Sequence, residues 1–292
     1  MHLIDTHAHL DFPDFESDIE AVVARAREAG VGRIITIGTG PESSRRAIAL
    51  AERFDGVFAA VGLHPSEAQD AEGDWIGELQ ALAAHPKVVA IGETGLDFHR
   101  LPSSQVAPPF RDLAAASVAG GAAELVRRID DDEYKNRQAD AFRAQLELAV
   151  ELGRNVIVHQ RDAWAETLEI LSPFAGKLRA VFHCFGGDPG QAAELIAAGH
   201  MVSFTGIVTF RKADVLRATV ASAPPGSFMV ETDCPYLAPE PHRGKRCEPA
   251  HARLTAEKIA EVRGTTPEAI AKETTAAAEA FFAFGPIRGF KR

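Results

Sequence analysis

Eight short apolar runs, each parted from the next by a stretch of helical period, constrain this chain more than any other feature. They are LID near the N-terminus, RIITIG (33–38), VFAAVG (57–62), VVAIGE (88–93), NVIVH (155–159), RAVFH (179–183), MVSFTG (201–206) and FMVETD (228–233). The runs are brief, rich in Val and Ile, and mostly apolar on both faces, which is how parallel strands buried between two layers read. Helix-period segments over 16–29, 42–53, 74–84, 138–152, 163–171, 189–198 and 211–221 separate them. Several end at Gly30, Gly153 or Gly199, where the left-handed conformation that stops a helix costs least.

Strand followed by helix, eight times over, predicts an α/β fold, a (β/α)8 TIM barrel, for which about 250 residues is typical. Segments 249–263 and from Thr266–Pro267 onward supply the last helices, and residues 1–292 read as one domain. A doubly wound open sheet is the structural alternative. The rhythm breaks over 100–135, which contains no convincing strand. This reads as an irregular insertion after the fourth strand, an inserted lid or loop segment, with a helix possible over 111–129.

Composition narrows the class of protein. Hydrophobic residues make up 46% of the chain, as in a folded protein. Cys184, Cys234 and Cys247 form no CxxC pair, which argues against a disulfide framework and suits a reducing compartment. No basic region precedes an apolar run at the start, and no stretch approaches about 18 charge-free apolar residues, so a cytoplasmic protein without a membrane span is expected. The net charge of −10 lowers the expectation of a nucleic-acid partner, although bound cations would change the local field. No heptad stripe is present, and a monomer is expected.

Polar residues placed on this frame gather at one end. His7 and His9 lie at the end of the first strand, and alternation gives them one face. Glu93 closes the fourth run, His159 the fifth, His183 the sixth and Asp233 the eighth. Barrel enzymes draw their sites from the C-terminal ends of several strands. A single histidine ending an apolar strand is as readily a satisfied core residue, but several unpaired charged groups crowded together are costly to bury. A pair of cations supplies the shared partner. Histidine and carboxylate without thiolate suits Zn²⁺, Mn²⁺, Co²⁺ or Mg²⁺, and the imidazole content leans toward a transition metal. In the simplest arrangement His7, His9 and Asp233 hold one ion, His159 and His183 the other, and Glu93 bridges both. Two such ions lower the pKa of a water and neutralise charge on an attacked phosphoryl or carbonyl oxygen. Asp233 is also placed to take that water's proton.

Around this set, His64 in VGLHPSEA ends the third strand, a candidate for orienting substrate or for capping its loop. Asp97 lies four residues past Glu93 and is a candidate for fixing a ligating histidine. Arg161 follows His159, and the loop PHRGKR (241–246) adds His242, Arg243, Lys245 and Arg246 shortly after the eighth strand, a basic patch suited to an extended anion. Alternation turns Cys184 and Cys234 toward the helices, as small buried apolar residues.

These residues together resemble the TatD family of metal-dependent deoxyribonucleases, within the amidohydrolase-like barrels. The stretches that carry the resemblance are IDTHAHLD, VGLHPSEA, IGETGLDFHR, QLELAVELGRNVIVHQRDA, VFHCFGG and ETDCPYLAPEPHRGKRCEP. The resemblance implies a two-metal site with ligands at His7, His9, Glu93, His159, His183 and Asp233; the residues themselves make Glu93, Asp233 and His64 the candidates for catalysis. It implies Mg²⁺-supported hydrolysis of DNA phosphodiesters, a 3′–5′ exonuclease preferring single strands or ends. Two departures stand out: the insertion after GLD, and FGG at 185–187 where the family more often has FSG. The competing readings are an amidohydrolase or lactonase acting on a small molecule, and a barrel scaffold without activity. No strand ends in a lysine that could be carboxylated to bridge two ions, which favours the nuclease over the amidohydrolase.

Overall fold

A computed structural model describes residues 1–103, 130–282 and 284. Strands β1 (Leu3–Ala8), β2 (Val31–Ile37), β3 (Val57–Val61), β4 (Val88–Asp97), β5 (Val156–Arg161), β6 (Ala180–Phe182), β7 (Met201–Phe204) and β8 (Phe228–Val230) form one parallel sheet in sequential order. That order excludes the doubly wound sheet, in which the strand order reverses. Helices α1 (Ile19–Glu28), α2 (Pro41–Arg53), α3 (Trp75–Ala83), α4 (Asp131–Glu151), α5 (Trp164–Leu171), α6 (Pro189–Ala197), α7 (Asp214–Ser222), α8 (Ala252–Arg263) and α9 (Pro267–Phe281) accompany it. The fold is a (β/α)8 barrel.

The two apolar faces of each strand serve different cores. Leu3, Val57, Val88, Val156, Val158, Phe182 and Phe204 pack outward against the helices. Ile4, Ile35, Ile37, Phe58, Ala60, Ile157, Val181, Met201 and Met229 fill the barrel interior. Ala277, Ala278, Phe281 and Phe282 join that inner cluster, so the end of α9 plugs the barrel at the N-terminal ends of its strands. Asn155, just before β5, fixes the plug by donating to the Phe281 carbonyl at 2.7 Å.

The barrel closes beyond β8 rather than along it. The eighth strand was expected over 228–233, but regular pairing stops at Val230. Residues after it cross to β1: Asp233 N–H donates to the His7 carbonyl at 2.9 Å, and His9 N–H to the Cys234 carbonyl at 2.8 Å. Asp5 locks this seam, its carboxylate accepting from the Thr232 N–H at 2.9 Å and the Thr232 hydroxyl at 2.7 Å. The fourth strand is longer than expected and runs on to Asp97.

Helix α4 starts at Asp131, within the stretch expected to be irregular to 135. Asp130 caps it by accepting from the Glu133 N–H at 2.8 Å, and Asp131, Asp132 and Glu133 crowd its first turn, where negative charge meets the positive end of the helix dipole. The expected helix over 111–129, and the lid or loop role of the segment, lie outside the described residues.

Candidate metal centre

Two irregularities in the strands aim the side chains of the site. Between Asp5 and Ala8, β1 advances one residue more than β2, and between Ile91 and Thr94, β4 does the same against β5. Such bulges re-aim side chains beside active sites. Here they bracket His7 on β1 and Glu93 on β4. On β5, alternation from the inward Ile157 turns His159 inward, and on β6 the same step from Val181 reaches His183.

All six expected ligands meet inside one rim. Glu93 is at the centre, 2% exposed. Its Oε1 lies 2.8 Å from His159 Nδ1 and 2.6 Å from His183 Nε2. Its Oε2 faces the other way, 3.4 Å from His7 Nε2 and 3.8 Å from His9 Nε2. Asp233 Oδ1 completes that side, 3.7 Å from His7 Nε2 and 3.5 Å from His9 Nε2, with the two imidazole nitrogens 3.3 Å apart. His183 stacks on His7 with ring centroids 3.9 Å apart.

These spacings test whether a cation fits. Two metal–ligand bonds of about 2.0–2.1 Å meeting at a tetrahedral angle put their donor atoms about 3.3 Å apart. The nitrogens of His7 and His9 stand at 3.3–3.8 Å from each other and from both carboxylates, a spacing mostly long for hydrogen bonds and right for a shared ion. On the other side, His159, His183 and Glu93 are drawn together to 2.6–3.2 Å, the closer spacing of groups sharing protons. His7, His9 and Asp233 form one grouping able to hold a metal, and His64, Glu93 and His159 another.

The protonation balance follows from burial and neighbours. Burial pushes the Glu93 carboxyl up, but His183, His64 and His7 hold it well below the usual carboxylate range. Burial also opposes charge on His183, and Glu93 and Glu231 overcome it, leaving that imidazole well above its ordinary value. His7, buried beside His183, goes down instead.

His64 caps its loop and also faces the site. Its Nδ1 accepts from the Ser66 N–H at 3.1 Å, capping a short turn, while Nε2 points at Glu93 Oε1 from 3.6 Å. Burial and the neighbouring His159 push it down to about 4. A neutral ring whose Nδ1 accepts carries its proton on Nε2, so His64 presents a donor toward the site. Asp97 meets His159 Nε2 at 3.1 Å and in turn accepts from the His99 N–H at 2.9 Å. Arg161 is exposed at the end of β5.

The basic loop divides. His242 stacks on His251 with centroids 4.6 Å apart, Arg243 lies 4.0 Å over the Phe210 ring, and Lys245 is exposed. Arg246 departs from its expected substrate role. Its guanidinium donates to Asp18 at 2.8 Å, to Glu248 at 2.8 Å and to the Asp14 carbonyl, so it is taken up in tying the loop to α1. Cys184 also departs. Strand β6 ends at Phe182, so alternation no longer applies; Cys184 takes φ 47°, is half-buried, and donates its N–H to Glu231 Oε1 at 2.5 Å. Cys234 is buried in the outer core as expected.

Sequence reasoning missed Glu231. It is 1% exposed inside the barrel, accepting from Ser203 Oγ at 2.6 Å, and stands 3.7 Å from His183 Nδ1. The signal was present: one alternation step from the inward Met229 leads to it. Asp5 was missed as well; burial pushes its carboxyl up to about 8 against the bonds from Thr232.

A parallel eight-stranded barrel whose rim gathers imidazoles and carboxylates around one central carboxylate defines a metal-dependent hydrolase. The chain belongs to the TatD family: the family model described as TatD related DNase matches residues 4–283. It is 35% identical over 281 residues to the metal-dependent hydrolase YabD of Bacillus subtilis, covering 96% of this chain and 98% of that one. It is 33% identical over 287 residues to the 3′-5′ ssDNA/RNA exonuclease TatD of Cronobacter sakazakii, covering 96% and 97%. The crystal structure of YJJV, a TatD homologue from Escherichia coli K12, superposes with a TM-score of 0.81 at 30% identity, covering 97% of this chain and 98% of that one. The protein is therefore an enzyme, a metal-dependent hydrolase acting on ester bonds, and the scaffold reading is set aside. No helix among the described residues is long and apolar enough to cross a membrane.

Proposed function

We propose that this enzyme hydrolyses DNA phosphodiesters at strand ends, as a 3′–5′ exonuclease favouring single strands, on a site built for two divalent ions. The observation that carries this reading is Glu93, whose two oxygens face separate imidazole sets. His7, His9 and Asp233 would hold one ion and His159 and His183 the other, with Glu93 shared. Bound there, such ions supply Lewis acidity, lowering the pKa of a water and offsetting charge on the attacked phosphoryl oxygen.

The chain's own groups do the rest. Asp233 offers a carboxylate beside His7 and His9, placed to accept the attacking water's proton. His64 donates from Nε2 to a non-bridging phosphate oxygen, its ring held by Ser66. Asp97 fixes the ring plane of His159 from behind. Arg161, His242, Arg243 and Lys245 remain candidates for contacts with the anionic strand. The relative named for single-stranded DNA and RNA supports this substrate class, and Mg²⁺ is the ion the family resemblance implies.

End-labelled single- and double-stranded DNA and RNA, digested across a panel of divalent metals, test substrate, polarity and ion together. Shortening of single-stranded DNA from its 3′ end, lost in Glu93→Ala and His159→Ala, is the expected result. Lactone or amide turnover by a protein that leaves every nucleic acid intact would overturn the proposal. Asp233→Asn with metal retained and an unchanged rate would remove its role as proton acceptor.

A further inference from the structure

Among the described residues, Tyr236 is the aromatic one of the exposed large hydrophobic side chains, at 55% exposure. It lies three residues beyond Asp233, and its backbone is pinned: Tyr236 N–H donates to the Asp233 carbonyl at 3.0 Å, and Cys247 N–H to the Pro235 carbonyl at 2.9 Å. A ring held out on a fixed backbone contributes little to folding and much to recognition, since little freedom is lost when a partner meets it. The ring is also linked to the site. Phe12 stacks on His9 with centroids 4.7 Å apart and meets Tyr236 edge-on at 6.2 Å. Edge-on contact leaves at least one face of Tyr236 bare, and its exposure agrees. His9, Phe12 and Tyr236 thus form an aromatic series from the metal centre outward.

We infer that Tyr236 is a stacking platform for the unpaired nucleobase next to the bond being cleaved. This rests on the phosphodiesterase reading and gives it a physical basis for strand preference. A π-face accepts any base and ignores the sugar, so the platform tolerates DNA and RNA alike and excludes a base still paired in a duplex.

The test uses the metal-loaded enzyme and two single strands that differ only in the terminal nucleotide, one with its base and one abasic. Stacking on one aromatic ring corresponds to roughly a 5- to 140-fold effect. The wild type is expected to prefer the base-bearing strand by that factor in kcat/KM, largely through KM. Tyr236→Leu is expected to collapse the preference toward unity, and Tyr236→Phe to retain it. A phosphorothioate-linked strand ending in 2-aminopurine gives a readout free of catalysis: its fluorescence is quenched on binding the wild type and Tyr236→Phe, but not Tyr236→Leu. An undiminished preference and quench in Tyr236→Leu would overturn the platform alone. Wild-type protein that cleaves neither strand overturns the phosphodiesterase reading beneath it.

Discussion

Glu93 and Asp97 lie on one strand, four residues apart, and act on the same histidine from opposite sides. Glu93 Oε1 meets His159 Nδ1 while Asp97 Oδ2 meets Nε2, so the ring cannot rotate without losing one of them. Carboxylates that orient metal-binding histidines typically carry 10- to 100-fold in affinity or activity. Asp97→Asn is therefore expected to weaken metal binding by about 10–100-fold, read by titrating activity against metal concentration. Glu231 has a different task, accepting from Cys184 N–H and Ser203 Oγ inside the barrel. Glu231→Ala strands both donors, at about 1–3 kcal/mol each, and a lowered thermal midpoint in the metal-free protein checks this.

Between elements, the loop after β8 is stapled to α1 by a charge network. Asp18 receives Arg246 at 2.8 Å and Arg25 at 3.1 Å, and both arginines also reach Glu248. Bonds from Arg246, opposed by slight burial and aided by Arg25, hold the Asp18 carboxyl down at about 2. A depressed carboxylate adds stability above its unfolded value and loses it as pH falls through its folded one. The stability gap between wild type and Asp18→Asn is thus expected at pH 6 and to narrow as pH drops from about 4 toward 2, measured by denaturant titration at each pH. Helix α6 is stopped at its start by a capping box, with Asp188 accepting from the Gln191 N–H at 2.9 Å and Gln191 Oε1 accepting from the Asp188 N–H at 3.1 Å. Asp188→Ala is expected to cost about 1 kcal/mol in the same titration.

For the molecule as a whole, α9 matters more than its position at the end of the sequence suggests. Phe281 and Phe282 are 3% and 1% exposed within the cluster that fills the barrel. The plug packs against the inner layer of strand side chains that lies below the candidate site. Phe281→Ala is expected to cost about 3–5 kcal/mol in equilibrium unfolding, because the cavity it leaves is walled by strands that cannot collapse inward.

How much of this was legible beforehand divides along the reach of each interaction. The alternation of strands with helices, most helix spans apart from the start of α4, and the placing of His159 and His183 at strand ends follow from local periodicity and short connections, which are properties of neighbours in sequence. The residues that gather at the candidate site were readable for the same reason, since each lies at or just past the end of an apolar run. The tertiary structure alone decided that β8 stops at Val230 and that Asp233 returns against β1, because backbone hydrogen bonds across the seam join residues more than two hundred positions apart. It alone decided that Arg246 belongs to Asp18, that Glu231 sits among barrel hydroxyls, and which oxygen of Glu93 meets which imidazole. Charge and hydrogen bonding act through distance in space, and folding sets those distances.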